Sequence, residues 1–314
     1  MLQFKSIMSL KTDFGNAKQF LMEGALGERL KREYNIKTDG PVSMASLIYS
    51  EEGRDALRNL WSEYKDIAKR YNLPFMATTP TRRANSDRVL GNNFSESIIK
   101  DNVDFLRTIL DEPQNMYVGG LMGCKGDAYT GEGALDSDEA YQFHCWQAQL
   151  FKEAKVDFLY AGIMPTLPEA IGMAKAMGDT NIPYIISFTI RKDGCLIDGS
   201  TISHAIKTID GTVDNAPLCY MTNCVHPIIV NEALSQLFNM TDIVKKRFLG
   251  IQANTSSLSY DELDGCCTLE ATSSPSDLAK GCRELKDKFG LKIFGGCCGT
   301  DNHYIEEIAS SICR

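Results

Sequence analysis

Short apolar runs alternate with longer stretches of mixed polarity along the whole chain. Eight of the runs read as β-strands: QFLMEG (19–24), LPFMATT (73–79), NMYVGGLMG (115–123), VDFLYAG (156–162), IPYIISFTI (182–190), APLCYMTN (216–223), RFLGIQAN (247–254) and LKIFGG (291–296). Several are nearly continuous in apolar residues, the pattern of parallel strands covered on both faces. The stretches between them carry apolar residues at helical spacing. In SEEGRDALRNLWSEYKDIAKRYN, the residues Leu57, Leu60, Trp61, Tyr64, Ile67 and Ala68 fall on one helical face. SESIIKDNVDFLRTILDE repeats the pattern after Ser95 and Glu96. SDEAYQFHCWQAQLFKEA, LPEAIGMAKAMG, TISHAIKTID, IVNEALSQLF, PSDLAKGCRELKDKFG and NHYIEEIASSIC follow. Asp136, Ser137 and Ser274, the last just before Pro275, stand as helix starts, and Gly178 and Gly290 as stops.

Eight strands, each followed by a helix, are the count for an α/β fold of the (β/α)8 TIM barrel type, with a doubly wound open sheet as the alternative. No linker, low-complexity tract or internal repeat divides the chain. Residues 1–314 therefore read as one barrel domain, with residues 1–18 as a short extension closing the barrel bottom.

Composition narrows the function. Hydrophobic residues make up 43%, enough to fill the core of one such barrel, and the net charge of -8 argues against a nucleic-acid partner. No apolar run approaches the ~20 residues that span a bilayer. The opening MLQFKSIMSLKTDFGNAKQF has no long apolar segment and no clear cleavage site, so a cytoplasmic enzyme is the expectation. The 11 cysteines are an odd number and make a poor disulfide framework. Most should be buried small hydrophobes: Cys124, Cys145, Cys195, Cys219, Cys282 and Cys313 carry no pattern of their own.

The exceptions stand at strand ends, where a barrel of this type carries its chemistry. Strand one ends in Glu23-Gly24, strand two in Thr78-Thr79, strand six in Asn223-Cys224 and strand eight in GGCCGT (295–300). Neighbouring side chains on a strand point to opposite faces, so Cys297 and Cys298 can share one small ion only where the backbone leaves strand geometry. The flanking glycines allow that departure. With Cys224 they make three thiolates from two strand ends, a soft site suited to zinc with one tetrahedral position left open. An open zinc among thiolates suits a thiol substrate, held as thiolate and aimed at an electrophilic carbon. A vicinal dithiol without metal is the competing reading of Cys297-Cys298. Cys266-Cys267 lacks flanking glycine pairs and reads as an ordinary loop.

At these residues the chain resembles the homocysteine S-methyltransferase family, the zinc barrels that methylate homocysteine. GGCCGT and TNCVHP (222–227) carry the resemblance. It extends to LMEGALGERL (21–30), ATTPTRRAN (77–85), VDFLYAGIMPTLPEA (156–170) and PYIISFTIRKDGCLIDGSTI (183–202). It implies zinc on Cys224, Cys297 and Cys298. It also implies that the first-strand loop, Glu23, Gly24 and Ala25, holds the amino-acid end of the acceptor. Thr78 and Asn223 join them as candidate substrate contacts, Asn223 being placed to orient the Cys224 loop as well. Three positions depart from the family pattern. Gly162 stands where a glutamate is usual, Glu23 where an aspartate is, and Met221 where a glycine is. The expected activity is transfer of a methyl group to a thiol, homocysteine giving methionine. The donor would be a sulfonium, a betaine, or a methyl-corrinoid or folate system on separate proteins. A different thiol acceptor, or a non-catalytic zinc- or thiol-binding subunit of a methyl-transfer assembly, is the alternative. His226 reads as a loop histidine, His144 and His204 as structural residues on helices away from the rim, and His303 as a neighbour of a helix cap. GGLMG (119–123) lacks the spacing of a nucleotide-binding loop.

Overall fold

In the computed structural model, which describes residues 8–111, 115–258 and 271–314, strands and helices alternate as the sequence pattern dictates. The order is α1 (Met8–Asn16), β1 (Phe20–Met22), α2 (Gly27–Glu33), a 3-10 segment (Ser43–Tyr49), α3 (Glu51–Arg70), β2 (Phe75–Thr78), α4 (Ser86–Leu90), α5 (Ser97–Ile109) and β3 (Met116–Gly123). It continues with α6 (Ser137–Glu153), β4 (Phe158–Met164), α7 (Leu167–Gly178), β5 (Tyr184–Phe188), α8 (Ile202–Thr212), β6 (Cys219–Val225) and α9 (Pro227–Leu234). Then come α10 (Asp242–Arg247), β7 (Phe248–Ala253), α11 (Pro275–Phe289), β8 (Ile293–Gly296) and α12 (Asn302–Ile312). Each strand pairs in parallel with the next, and β8 returns to β1 through Phe20–Ile293 and Leu21–Phe294. The sheet is a closed barrel of eight strands, not the open alternative.

Period-two alternation sorts the strand side chains. Phe20, Met22, Met76, Tyr117, Phe158, Tyr160, Ile185, Cys219, Met221 and Ile293 form one buried cluster inside the barrel. Their neighbours Leu21, Phe75, Ala77, Val118, Leu159, Ile186, Tyr220, Ile251 and Phe294 pack in a second cluster with the helices. Helix α1 adds Leu10 and Phe14 to the inner cluster, and its Asp13 accepts a hydrogen bond from Tyr117. Helix α1 thus packs against the bottom of the barrel. In the GGLMG run, a Cβ on Gly119 would lie 2.3 Å from the Phe158 ring, and one on Gly120 would lie 2.6 Å from the Phe151 ring. Those glycines make room for aromatic packing.

The helix ends follow local chemistry. Asp136 caps α6 and Ser274 caps α11 through their side chains, and Gly290 ends α11 in the left-handed conformation. Strand β1 is shorter than its apolar run suggests, which leaves Glu23 just beyond the strand, at the upper rim.

Candidate metal centre

The barrel brings Cys224, Cys297 and Cys298 together, and their sulfur atoms all lie within 4.8 Å of one another. Each of the two strands uses a local irregularity to do this. In β6 the pairing with β7 slips between Asn223 and Val225, so Cys224 is the extra residue of a bulge, with a left-handed φ of 64°. A bulge re-aims one side chain out of strand alternation, and here it turns the sulfur to the barrel mouth. After β8 the chain enters a tight turn in which Thr300 N–H donates to the Cys297 carbonyl at 3.1 Å. Gly299 has φ of 84°, and a Cβ there would lie 2.0 Å from Thr255 Oγ1, so the turn requires glycine. Cys224 and Cys298 sulfurs are 3.4 Å apart.

Two further side chains reach Cys224. Tyr129 Oη donates to its sulfur at 3.6 Å, and Asn254 Nδ2 donates at 3.6 Å. Hydrogen bonds from Cys297, Cys298 and Tyr129 hold the Cys224 thiol well below the usual thiol range, against the opposing effect of burial. The contact with Cys224 pushes Cys297 and Cys298 up. By contrast, Cys219 and Cys282 are buried among apolar groups that push each thiol up to about 12. Cys266 and Cys267 lie outside the described residues.

Glu23 is the buried acid of the site, 4% exposed. Its Oε1 accepts from Thr78 N–H at 3.1 Å and from Thr78 Oγ1 at 2.6 Å, while Oε2 has no partner among the described residues. Burial pushes its carboxyl up to about 7, with the Thr78 hydrogen bonds pulling the other way. Thr78 therefore orients Glu23. The Ala25 N–H is already taken by Thr300, through its carbonyl at 3.1 Å and its Oγ1 at 3.1 Å. Gly24 lies against Tyr64, with 2.8 Å between that ring and any Cβ added there. Asn223 Oδ1 accepts from Ile163 N–H at 3.0 Å and from Ser187 Oγ at 2.5 Å. It braces β6 against β4 and β5 beside Cys224. Tyr160 Oη donates to Gln252 Oε1 at 2.8 Å, which extends the neutral polar network across the interior.

At Gly162 a Cβ would lie 2.9 Å from Leu121 Cδ1, so an apolar side chain packs over this position. Met221 is accommodated across β7 by Gly250, where an added Cβ would lie 3.1 Å from Met221 Cβ. His226 caps α9: its Nδ1 accepts from Ile228 N–H at 3.2 Å and its Nε2 lies 2.8 Å from Ser273 Oγ. Burial brings its pKa down to about 4, so the ring is neutral and serves as a cap. His303 follows the Asp301 cap, and His204 follows the Thr201 cap. His144 is closer to the rim than its helix position suggests. Its Nε2 lies 3.1 Å from Glu169 Oε1, which accepts from Lys125 N–H at 2.7 Å. Glu169 Oε2 accepts from Leu135 N–H at 3.4 Å. This buried pair clamps both ends of the β3–α6 loop that carries Tyr129.

A model of the homocysteine S-methyltransferase family matches residues 20–312. The chain belongs to that family. Among solved structures it is similar to the homocysteine methyltransferase MmuM from Escherichia coli. The metallated form superposes with a TM-score of 0.75 at 18% identity, covering 96% of this chain and 99% of that one. The oxidized form gives the same TM-score of 0.75 and the apo form 0.68. At that identity the likeness establishes the fold. A methionine synthase from Mycobacterium leprae is 27% identical over 148 residues, 46% of this chain, and the match spans 11% of that relative's length.

Tyr129 and Asn254 escaped sequence reasoning. Asn254 sits at the end of an evident strand, beside the residues that were read. Tyr129 gives no local sign, since a single tyrosine in GCKGDAYTGEG looks like any polar loop residue. The length of that loop at the C-terminal face was the available signal.

Proposed function

We propose that this chain, as a single barrel domain, is a zinc-dependent S-methyltransferase that moves a methyl group onto a thiol, with homocysteine as the acceptor and methionine as the product. The observation that carries it is the convergence of the Cys224, Cys297 and Cys298 sulfurs at the mouth of a barrel of this family. The donor set fits zinc. Thiolates at Zn–S distances of about 2.3 Å in a tetrahedron are separated by about 3.8 Å. The 3.4 Å between Cys224 and Cys298 and the 4.8 Å bound on the cluster bracket that value. Zinc held there would supply Lewis acidity that keeps an acceptor sulfur as thiolate at neutral pH.

The remaining work belongs to the chain. Tyr129 and Asn254 donate to Cys224 and fix the direction of its sulfur. Thr78 holds one oxygen of Glu23, and the unpartnered Oε2 receives the ammonium of the acceptor. An ammonium bound there favours the ionised carboxylate that burial alone disfavours. Asn223, through Ser187 and Ile163, keeps the wall opposite rigid. The apolar contact of Leu121 over Gly162 supports a second reading, an acceptor thiol whose tail is less polar than that of homocysteine.

Zinc analysis of reduced protein purified without chelator, with a methyl-transfer assay on L-homocysteine, tests both readings. About one zinc per chain together with methionine formation supports the homocysteine enzyme. Zinc with transfer only to other thiols selects the second reading. Reduced protein without zinc overturns both.

A further inference from the structure

Outside the thiolate cluster, the C-terminal face gathers a group of cations on a chain whose net charge is -8. They stand on a built turn. Ala84 N–H donates to the Thr81 carbonyl at 2.9 Å, which makes Arg82 and Arg83 the two central residues of a β-turn. Gln147 Nε2 donates to the same carbonyl at 3.0 Å, and Thr81 Oγ1 donates to the Leu121 carbonyl at 2.9 Å. The stem of Arg82 crosses the end of β3, where a Cβ on Gly123 would lie 2.6 Å from Arg82 Cγ. Arg88, on α4, is tied to the Pro41 carbonyl by Nη1 at 2.9 Å. Arg83 is partly buried, and desolvation with the nearby Arg82 and Arg88 charges lowers its pKa.

The side chains of Arg82 and Arg83 form no hydrogen bond or ion pair with any described residue. Two carboxylates are near. Asp127, near Arg83, accepts at Oδ1 from Tyr129 N–H and Thr130 N–H, each at 2.8 Å, and from Thr130 Oγ1 at 3.2 Å. Asp87 pairs with Lys125 at 3.5 Å. A guanidinium left with its hydrogen-bond donors unused is matched in shape to a carboxylate or phosphate. The patch also adjoins the reaction site. Asp127 and Tyr129 are two residues apart, so their Cα atoms lie within about 7 Å, and Tyr129 touches Cys224.

We propose that the Arg82–Arg83–Arg88 cluster is the anion-recognition site for the methyl donor, so that the donor is a net-anionic molecule bearing phosphate or several carboxylates rather than a small amino-acid sulfonium of net positive charge. The inference rests on the methyl-transfer reading above. Transfer forms the sulfur–methyl bond of the product and breaks the bond between methyl carbon and donor atom. That electron pair stays with the donor, and the proton of the acceptor thiol has left to solvent on binding. The arginines take no part in the bond changes. They hold the anionic part of the donor beside the cluster and disfavour a cation in its place.

The test uses the zinc-loaded full chain and inorganic pyrophosphate as probe, titrated calorimetrically. The expected result is one site per chain that weakens by about tenfold or more in R82Q/R83Q. The charge-retaining R82K/R83K should recover part of the affinity, and raising ionic strength should weaken binding. Zinc content should be the same in all three proteins, and so should the shift of the cobalt(II)-substituted spectrum on adding homocysteine. Absent pyrophosphate binding, or binding equal in R82Q/R83Q, overturns the proposal. So does turnover of S-methylmethionine with a donor KM that R82Q/R83Q leaves unchanged. A cobalt(II) spectrum that homocysteine does not move counts against the acceptor reading instead, whatever pyrophosphate does.

Discussion

Below the middle of its strands, the barrel is filled by Phe20, Tyr117, Phe158, Cys219 and Ile293, with Leu10 and Phe14 of α1 packed beneath them. Above it, the strands present Ser187, Asn223, Cys224 and Gln252 and, past their ends, Glu23, Asn254, Cys297 and Cys298. The lower half satisfies itself by close packing and carries one register shift, between Tyr220 and Met221. The upper half departs from alternation at the bulges between Ala161 and Met164 and between Asn223 and Val225. It places the non-glycine residues Ile163 and Cys224 at positive φ, and leaves Glu23 Oε2 and Thr189 Oγ1 without partners among the described residues. Left-handed non-glycine residues cost of order 1–3 kcal/mol each. The contrast teaches that the bottom supplies the stability against which the top holds strained backbone and unpaired polar atoms in position.

The sharpest break of that contrast is at the sulfurs. Cys224→Ser should reduce bound zinc from about one per chain to near zero and cut methyl transfer by roughly a thousandfold or more. The fold should survive, because the lower cluster is untouched; unchanged far-ultraviolet dichroism together with metal analysis checks this. The converse break is Phe158→Ala, which empties the barrel interior. It should cost about 3–5 kcal/mol in chemical unfolding, while the molecules that remain folded keep their zinc. Loss of zinc in the folded fraction would show that the two halves are not separable.

Glu23 tests the upper half by pH. Its carboxyl moves from an ordinary 4.5 to about 7 on folding, because burial disfavours the charge. A carboxyl raised in this way costs nothing while protonated in both states. It destabilises the fold progressively as pH rises from 4.5 through about 7. Glu23→Gln should therefore gain up to about 3 kcal/mol relative to the parent at pH 8, and show little of that gain at pH 4. Parallel unfolding curves at the two pH values, with a constant difference, would contradict it. The smallest effect expected is at Tyr129→Phe, which removes one donor to Cys224. Metal affinity should fall by about tenfold, and the cobalt(II)–thiolate absorption should shift. An identical spectrum would mean that the tyrosine packs on the cluster without acting on it.

Much of this was legible in the chain. The apolar runs gave eight strands in the right order, and the caps at Asp136 and Ser274 and the stop at Gly290 stand as read. These are local signals: side-chain period, turn residues and capping groups act within a few residues. The cysteines at the ends of strands six and eight were legible too, since barrel topology alone sends those ends to one rim. The glycines around Cys297-Cys298 signalled the turn, and Gly299 bears it out by its positive φ.

What the sequence by itself determined, then, is the barrel and the residue types at its mouth. Only the tertiary structure decided that Ala25 N–H is occupied by Thr300, that Leu121 packs over Gly162, and that Cys224 sits in a bulge. It also decided that the β3–α6 loop, clamped by the His144–Glu169 pair, lays Tyr129 on Cys224 and brings Asp127 up to Arg83. Those contacts join residues far apart in the chain. No period or spacing encodes them, because they exist only once the eight strands have closed and the loops above them share one small surface.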